Sequence, residues 1–505
     1  MAAVNSTFPG VRTRWPNTGE LQPWLLEVAK QAVKLADKLQ QPVTGSISVA
    51  LPGWPKDLLD RLIRSTPKVQ TAAQQGFYGA HPVRGLRVAT WGCVAQLTAT
   101  GAQQVTTLAG LLREASASQV WVNQPPRWFG GFAFVSGPRQ GPWQNWPDAQ
   151  LILPRLSWTS VQNRTWLTVN LAADPAQNPQ ETVARAVAAY ESLRTGSGDG
   201  ENCGWDRMTQ TAARHVTREV VSQPPWREDL EHGTFVSGVE QCVAEICAGE
   251  YEKVVLARRE QIKGTSQTDL SSAVRALEQV YPDSFTYVLR QGDDWFVGAS
   301  PEQLVRVVNG ELQADCLAGT APRGRDEESD EKFAQGLLNS AKNRHEHAIV
   351  KTWIFDRLAD VTSEIHASDA PGLRKLTNVQ HLHTPIRGRL YDSVSVLDVA
   401  ARLHPTPAVA GVPQGTAMEA VLRRESFDRG WYAGGVGWAD AEGNGEFFVA
   451  LRSALLLKTE AWLYAGAGIV NASDGEEEWA ETELKLAPMR TALARQKEGS
   501  GSAGK

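Results

Sequence analysis

Four charged side chains, each in its own short motif, carry the chemical signal of this chain: Lys253 in YEKVVLAR, Glu302 in GASPEQL, Glu346 in KNRHEH and Glu481 in EWAETELK. A strand lysine and three dispersed acids can supply a proton acceptor, a proton donor and oxygen ligands for a hard cation. That combination points to an enzyme.

The segment EEEWAETELKLAP has helical spacing, and at 100° per residue Glu478, Glu481 and Lys485 share one face while Trp479 and Leu486 point elsewhere. Taken alone, such a stripe also fits a solvated helix laced with i,i+4 pairs. Glu346 falls in AQGLLNSAKNRHEHAIVKTWIFDRLAD, read as one helix, where Ile349 and Val350 one turn on set its carboxylate beside the apolar stripe. A carboxylate there needs a partner. Two carboxylates from different helices, completed by water and a substrate carboxylate, suit Mg²⁺; an ion pair with Arg344 or Lys342 is the alternative. His345 and His347, at i and i+2, face different sides of a helix and make no metal pair. Glycine-rich strands follow in GWYAGGVGW, FFVALRSALL and YAGAGIV. Small residues let backbone N–H groups approach an anion, and Arg452 can clamp a carboxylate through two parallel hydrogen bonds. Glycine packing in a twisted sheet explains the same residues, and their spacing is not that of a dinucleotide fingerprint.

The elements that must position these groups are mixed α and β. WLLEVAKQAVKLADKL (24–39) is helical, SISVALP (46–52) is a strand, and RWFGGFAFVSG (127–137) mixes aromatics with close-packing glycines. LILPRLSW and TWLTVNLA read as paired strands, followed by the helix PQETVARAVAAYESLR and the Gly/Asp-rich stretch 195–204, the best boundary candidate. Phe235, Val239, Cys242, Val243 and Ile246 recur at helical spacing, Gly249 stops that helix, and Lys253 begins a strand. FTYVLRQGDDWFVGAS and LVRVVNGELQADCL are hairpins, the second with an Asn309-Gly310 turn of type I′, and Glu302 sits between them. The 505 residues carry 51 basic and 56 acidic side chains without a Lys/Arg block, which argues against nucleic acid and for a small substrate. No stretch reads as a secretory signal or a membrane span, and five unpaired cysteines read as buried thiols in a cytoplasmic protein.

KVVLAR, GASPEQL, LAGTAPRG, KNRHEH, VQHLHTPIRGRL, LHPTPAVAGVP, AGGVGW, FVALRSALL and GAGIVNASDGEEEWAETELK, in that order, resemble the chorismate-utilising enzymes, a family that includes anthranilate synthase component I. The match is dense from Phe235 to Met489 and loose before it, through WFGGFAF and LILPRLSW. Within the family the chain is most similar to the isochorismate synthases. The resemblance implies exchange of the C4 hydroxyl of chorismate for one at C2 drawn from water, with Lys253 as the base and Glu302 as the acid. Lys253 must then be neutral to accept a proton, and Glu302 must hold one in an apolar or anionic setting. It also implies that Glu346 and Glu481 bind Mg²⁺ with support from Glu478, and that Tyr432, Leu451, Arg452, Gly466, Gly468 and Lys485 gather around the substrate. Gly319, Thr320, His381 and Ala408 match positions lining the ring pocket.

Three positions separate this chain from relatives. Lys253 stands where amine-forming relatives carry glutamine, so no glutamine amidotransferase subunit is expected, and Ala318 stands where others place a nucleophilic lysine. Ala408 stands where pyruvate-expelling relatives commonly have threonine, so the reaction is expected to stop at isochorismate. Asn343 replaces an often acidic residue three before Glu346, a change that bears on metal affinity. The expected fold is α+β: two stacked β-sheets, one mainly from each half, with helices outside. Expected divisions are a variable N-terminal half (1–225), a chorismate-binding region (226–498) and a flexible tail (499–505) in a monomer. The product is expected to feed menaquinone or phylloquinone synthesis, or else a siderophore or salicylate route. A salicylate synthase and a non-catalytic chorismate-binding subunit are the competing readings.

Overall fold

The computed structural model describes residues 16–55, 57–64, 75–195, 232–263, 270–375 and 379–494. The boundary stretch beyond residue 195, the division at 225/226, Cys203 and the tail 499–505 lie outside the described residues. Elements are numbered in chain order. Twelve strands form one sheet in the order β18 (Gly411–Val412), β10 (Lys253–Lys263), β22 (Glu460–Ile469), β21 (Ser453–Leu456), β12 (Asp294–Ser300), β11 (Phe285–Gln291), β2 (Gln75–His81), β3 (Leu86–Trp91), β8 (Leu156–Val161), β9 (Arg164–Ala173), β1 (Val43–Leu51) and β5 (Gln119–Val122). The second sheet runs β15 (Thr362–Ala367), β17 (Val379–Leu390), β14 (Glu311–Pro322), β13 (Gln303–Val308), β20 (Gly445–Val449), β19 (Gly435–Asp440), β6 (Arg127–Phe132), β7 (Ala149–Leu153) and β4 (Ala95–Ala99), with β16 (Gly372–Lys375) beside β17.

Both sheets draw on both halves of the chain, contrary to the expectation of one sheet mainly from each half. β11 pairs with β2 in the first sheet and β19 with β6 in the second. The glycines of WFGGFAF and AGGVGW permit the second junction, because a Cβ on Gly131 would run into the Gly435 carbonyl and one on Gly434 into that of Phe132. Close packing, not anion binding, therefore accounts for these glycines. The sheets face each other through aromatic contacts, with Phe285 stacked on Phe448 at 4.2 Å and Phe77 against Phe129 at 5.3 Å.

A second core lies on the outer face of the twelve-stranded sheet, beneath α1 (Thr18–Leu39), α2 (Leu58–Arg64), α4 (Pro179–Thr195), α6 (Leu270–Val280) and α11 (Gly475–Ala494). α1 begins before Trp24 because Asn17 and Glu20 form a capping box. α5 (His232–Cys247) packs on α11, and α10 (Gln414–Arg424) lies against β10. The other sheet is covered by α3 (Gln104–Ala117), α7 (Glu327–Asn339), α8 (Ala341–Leu358) and α9 (Val396–Leu403).

Three local readings change. The 334–360 helix is two helices, broken at Ser340, whose extended backbone and hydroxyl cap α8 by accepting from the Asn343 N–H. LILPRLSW is not one strand: β7 ends at Leu153 and β8 starts in the other sheet at Leu156, with the Pro154 carbonyl accepting from Asn170 at the corner. Cys93, Cys242 and Cys316 are buried thiols, whereas Cys247 is exposed at the end of α5. The Asn309-Gly310 turn has both φ angles positive, as a type I′ hairpin requires.

Candidate active site

Glu302 lies where the chain leaves β12 in one sheet and enters β13 in the other. Its backbone is tied to both: the Glu302 N–H donates to Ser300 Oγ at 3.2 Å, and the Glu302 carbonyl accepts from the Val449 N–H at 3.0 Å. The carboxyl makes no hydrogen bond or ion pair with protein among the described residues and faces a cavity of about 370 Å³. Burial pushes it up to about 7, assisted by Asp315 and opposed by Lys253, Arg374 and Lys485.

Lys253 opens β10 and reaches the same cavity. Gly468, on neighbouring β22, makes room for it, since a Cβ there would lie 3.2 Å from Lys253 Cε. The Lys253 side chain is 8% exposed, and the ammonium donates to Glu346 Oε1 at 2.6 Å. Glu346 is thus paired with a lysine from another element rather than with Lys342 or Arg344. Burial works to raise the Glu346 carboxyl, but Lys253 outweighs it and holds the group below its ordinary value.

Glu346 from α8 and Glu478 and Glu481 from α11 line one region of the cavity wall. Burial would also raise Glu481, yet Lys485, 2.6 Å away at i,i+4, keeps it ionised. Glu478 is pushed up to about 7 by burial, with a further push from Glu481. One of its oxygens accepts from Ser473 at 2.7 Å; the other, Oε2, is buried without a hydrogen-bond partner. Among the described residues no three His, Cys, Asp or Glu side chains converge into a ready-made metal shell. Two ionised carboxylates and an orphaned carboxyl oxygen fit a hard cation that keeps water or substrate oxygens in its shell.

The cavity also carries cations with unequal engagement. Lys485 donates to the Gly466 carbonyl at 2.8 Å as well as pairing with Glu481. Arg452 accepts from the Ala299 N–H through its carbonyl at 3.2 Å, but its guanidinium makes no hydrogen bond or ion pair among the described residues. Its backbone sits at φ +49°, an uncommon region for a non-glycine residue that costs about 1–3 kcal/mol and clusters at functional sites. Gly466 leaves space for the Tyr432 hydroxyl, which would lie 3.1 Å from an added Cβ, and Tyr432 stacks on Tyr464 at 5.3 Å. The glycines of YAGAGIV therefore accommodate side chains of the site.

His381 Nδ1 lies 3.3 Å from the Gly319 carbonyl and 3.1 Å from Thr320 Oγ1. A carbonyl only accepts, so Nδ1 carries the hydrogen and Nε2 is the bare acceptor. Burial, then Arg452 and Lys485, lower this imidazole to about 4 and keep it neutral. Gly319 occupies a β-bulge at φ +77°, with Asn343 3.0 Å from where its Cβ would be. Thr320, Ala408, Leu451 and every other residue assigned to the site open onto this cavity. His345 is exposed and His347 is buried, bonded to Thr384 at 2.8 Å, so the two make no shared site.

Two supporting groups escaped the sequence reading. Arg429, paired with Glu425, donates to the carbonyls of Val409 at 2.9 Å and Val255 at 2.8 Å, tying the Ala408 loop to β10. Their i,i+4 spacing in ESFDRG was the available signal. Asp315 accepts from His383 at 2.9 Å and Arg374 at 2.7 Å beside Glu302; nothing local in sequence links those three strands.

A family model described as chorismate binding enzyme matches residues 32–494. The salicylate biosynthesis isochorismate synthase of Pseudomonas aeruginosa is 37% identical over 407 residues, 80% of this chain and 82% of that protein. The isochorismate synthase MenF of Bacillus subtilis is 34% identical over 369 residues, 73% of this chain and 74% of that one. The solved menaquinone-specific isochorismate synthase MenF of Escherichia coli shares the fold, with a TM-score of 0.69 at 24% identity over 92% of this chain and 100% of that chain.

Proposed function

This chain belongs to the chorismate binding enzymes, and from that premise we propose that it is an isochorismate synthase, an isomerase that adds water at C2 of chorismate and expels the C4 hydroxyl. The observation that carries the reading is that Lys253 and Glu302 open into one cavity whose wall also holds Arg452, a cation without an ion-pair partner among the described residues.

Lys253, once its ammonium has given up the proton it shares with Glu346 to solvent, takes a proton from water as the water oxygen bonds to C2. Glu302, with its carboxyl shifted to about 7, gives a proton to the departing C4 oxygen, which leaves as water. Arg452 and Lys485 offset the charge of the substrate carboxylates, and Tyr432 packs beside them over Gly466. Neutral His381 presents Nε2 as an acceptor toward the ring pocket, shaped by Gly319, Thr320, Ala408, Leu451 and Gly468. Glu346 and Glu481 would hold Mg²⁺, with Glu478 supporting, and the ion would neutralise a ring carboxylate. Asn343 contributes no charge to that site; it donates to Ser340 Oγ at 2.9 Å.

The protein acts on chorismate as a cytoplasmic monomer without an amidotransferase subunit. Among the described residues no helix is long and apolar enough to cross a membrane. Likeness to the MenF enzymes supports a place in menaquinone supply, and likeness to the salicylate biosynthesis relative supports a salicylate route as the second reading. A salicylate synthase is disfavoured by the methyl side chain of Ala408 on the cavity wall. Chorismate incubated with the protein should yield isochorismate without stoichiometric pyruvate, cease to do so with chelator and resume with Mg²⁺. Pyruvate released in step with turnover would overturn the assignment.

A further inference from the structure

Beyond the ion pair of Lys253 and Glu346 lies a second hollow of about 820 Å³, walled by Ile246, Cys247, Tyr251, His345, Ile349 and Asn471. Lys253, Lys342, Glu346 and Val470 line both hollows, so the ion pair forms part of the partition. Each hollow has its own rim: Thr320 and Glu477 are exposed at the front, Cys247 and Asn471 at the rear. A wall bearing Lys342, His345, Glu346 and Asn471 is polar enough to hold water, and the space is many times the roughly 30 Å³ that one water occupies.

Resting on the isochorismate synthase reading, we propose that this rear chamber delivers the reacting water to Lys253 while the ring fills the front cavity. A ring held by Arg452 and Lys485 in a cavity of about 370 Å³ obstructs the front approach to the amine. The rear approach stays open. With Lys253 as the neutral amine the step balances: the water oxygen bonds to C2, its proton passes to Lys253, the C4–O bond breaks, and that oxygen leaves as water with the proton of Glu302. Separate routes for ring and water mean that closing the rear slows turnover without weakening chorismate binding.

Cys247 provides a reversible plug, since Cys93, Cys242 and Cys316 are buried and Cys203→Ser removes the remaining thiol. In the Cys203→Ser protein, a benzyl methanethiosulfonate cap on Cys247 should lower kcat at least about tenfold at unchanged KM. The smaller methyl cap should cost less than about twofold, and dithiothreitol should restore the rate. Ile349→Trp, filling the chamber from α8 without modification, should reproduce the kcat loss with thermal stability retained. Unchanged kcat in both the benzyl-capped protein, with capping verified by mass, and Ile349→Trp would overturn the proposal. So would a rise in KM at constant kcat, which would make the chamber the substrate entrance. Absence of isochorismate from the uncapped protein would overturn the underlying reading as well, and so separates the two failures.

Discussion

Glu302 holds its proton near neutrality because the surrounding protein withholds water, an effect that the nearby ammonium of Lys253 opposes without overcoming. An ordinary glutamic acid would have surrendered that proton well below neutral pH. The sign is fixed: with its value raised to about 7, the acid is intact below that pH and is lost as pH rises through it. In the free enzyme, kcat/KM should therefore fall above about pH 7, a limb that the residual activity of Glu302→Gln should lack. Both Glu302→Gln and Lys253→Ala should reduce kcat by about 10²–10⁴-fold with unfolding temperatures near that of the parent. Arg452→Gln should act differently, raising KM by roughly 10- to 100-fold, the cost of one charge-assisted contact to a substrate carboxylate. These roles came from motifs, and the cavity gathers every residue so assigned. What motifs did not convey was the partner of Glu346, because an ion pair between residues 253 and 346 is a fact of tertiary packing.

Helix α8 starts where it does because Ser340 interrupts a run of good helix formers, and its hydroxyl takes the place of a missing turn. Helical periodicity alone ran through this break, since apolar spacing continues on both sides. Ser340→Ala should cost about 1 kcal/mol in denaturant unfolding and, by loosening the first turn of α8, raise the Mg²⁺ concentration needed for half-maximal rate. Gly319→Ala tests the bulge in β14: a left-handed backbone and the nearby Asn343 side chain should together cost about 1–2 kcal/mol. The Pro154 corner shows the opposite case, a proline visible in sequence whose consequence, a change of sheet, is decided by long-range pairing.

At the scale of the molecule, helices, hairpins and the mixed class were readable because they rest on local spacing, whereas the sharing of strands between sheets was not. That sharing has a thermodynamic consequence. Residues 226–505 expressed alone would leave β11 without β2 and β19 without β6, and should aggregate; a soluble, cooperatively folded fragment would contradict this topology. Likewise Phe448→Ala, which removes the stacked partner of Phe285 between the sheets, should cost about 3–5 kcal/mol. The two sheets meet at Glu302, so the same architecture that joins the halves also sets the donor on the cavity shared with Lys253. The most direct test is conversion of chorismate in ¹⁸O-labelled water, with product mass and rate followed for the parent protein and for Lys253→Ala. Label in the C2 hydroxyl of isochorismate, formed by the parent and largely lost with the lysine, is the predicted result; unlabelled product, or labelled product at the parent rate without Lys253, would contradict it.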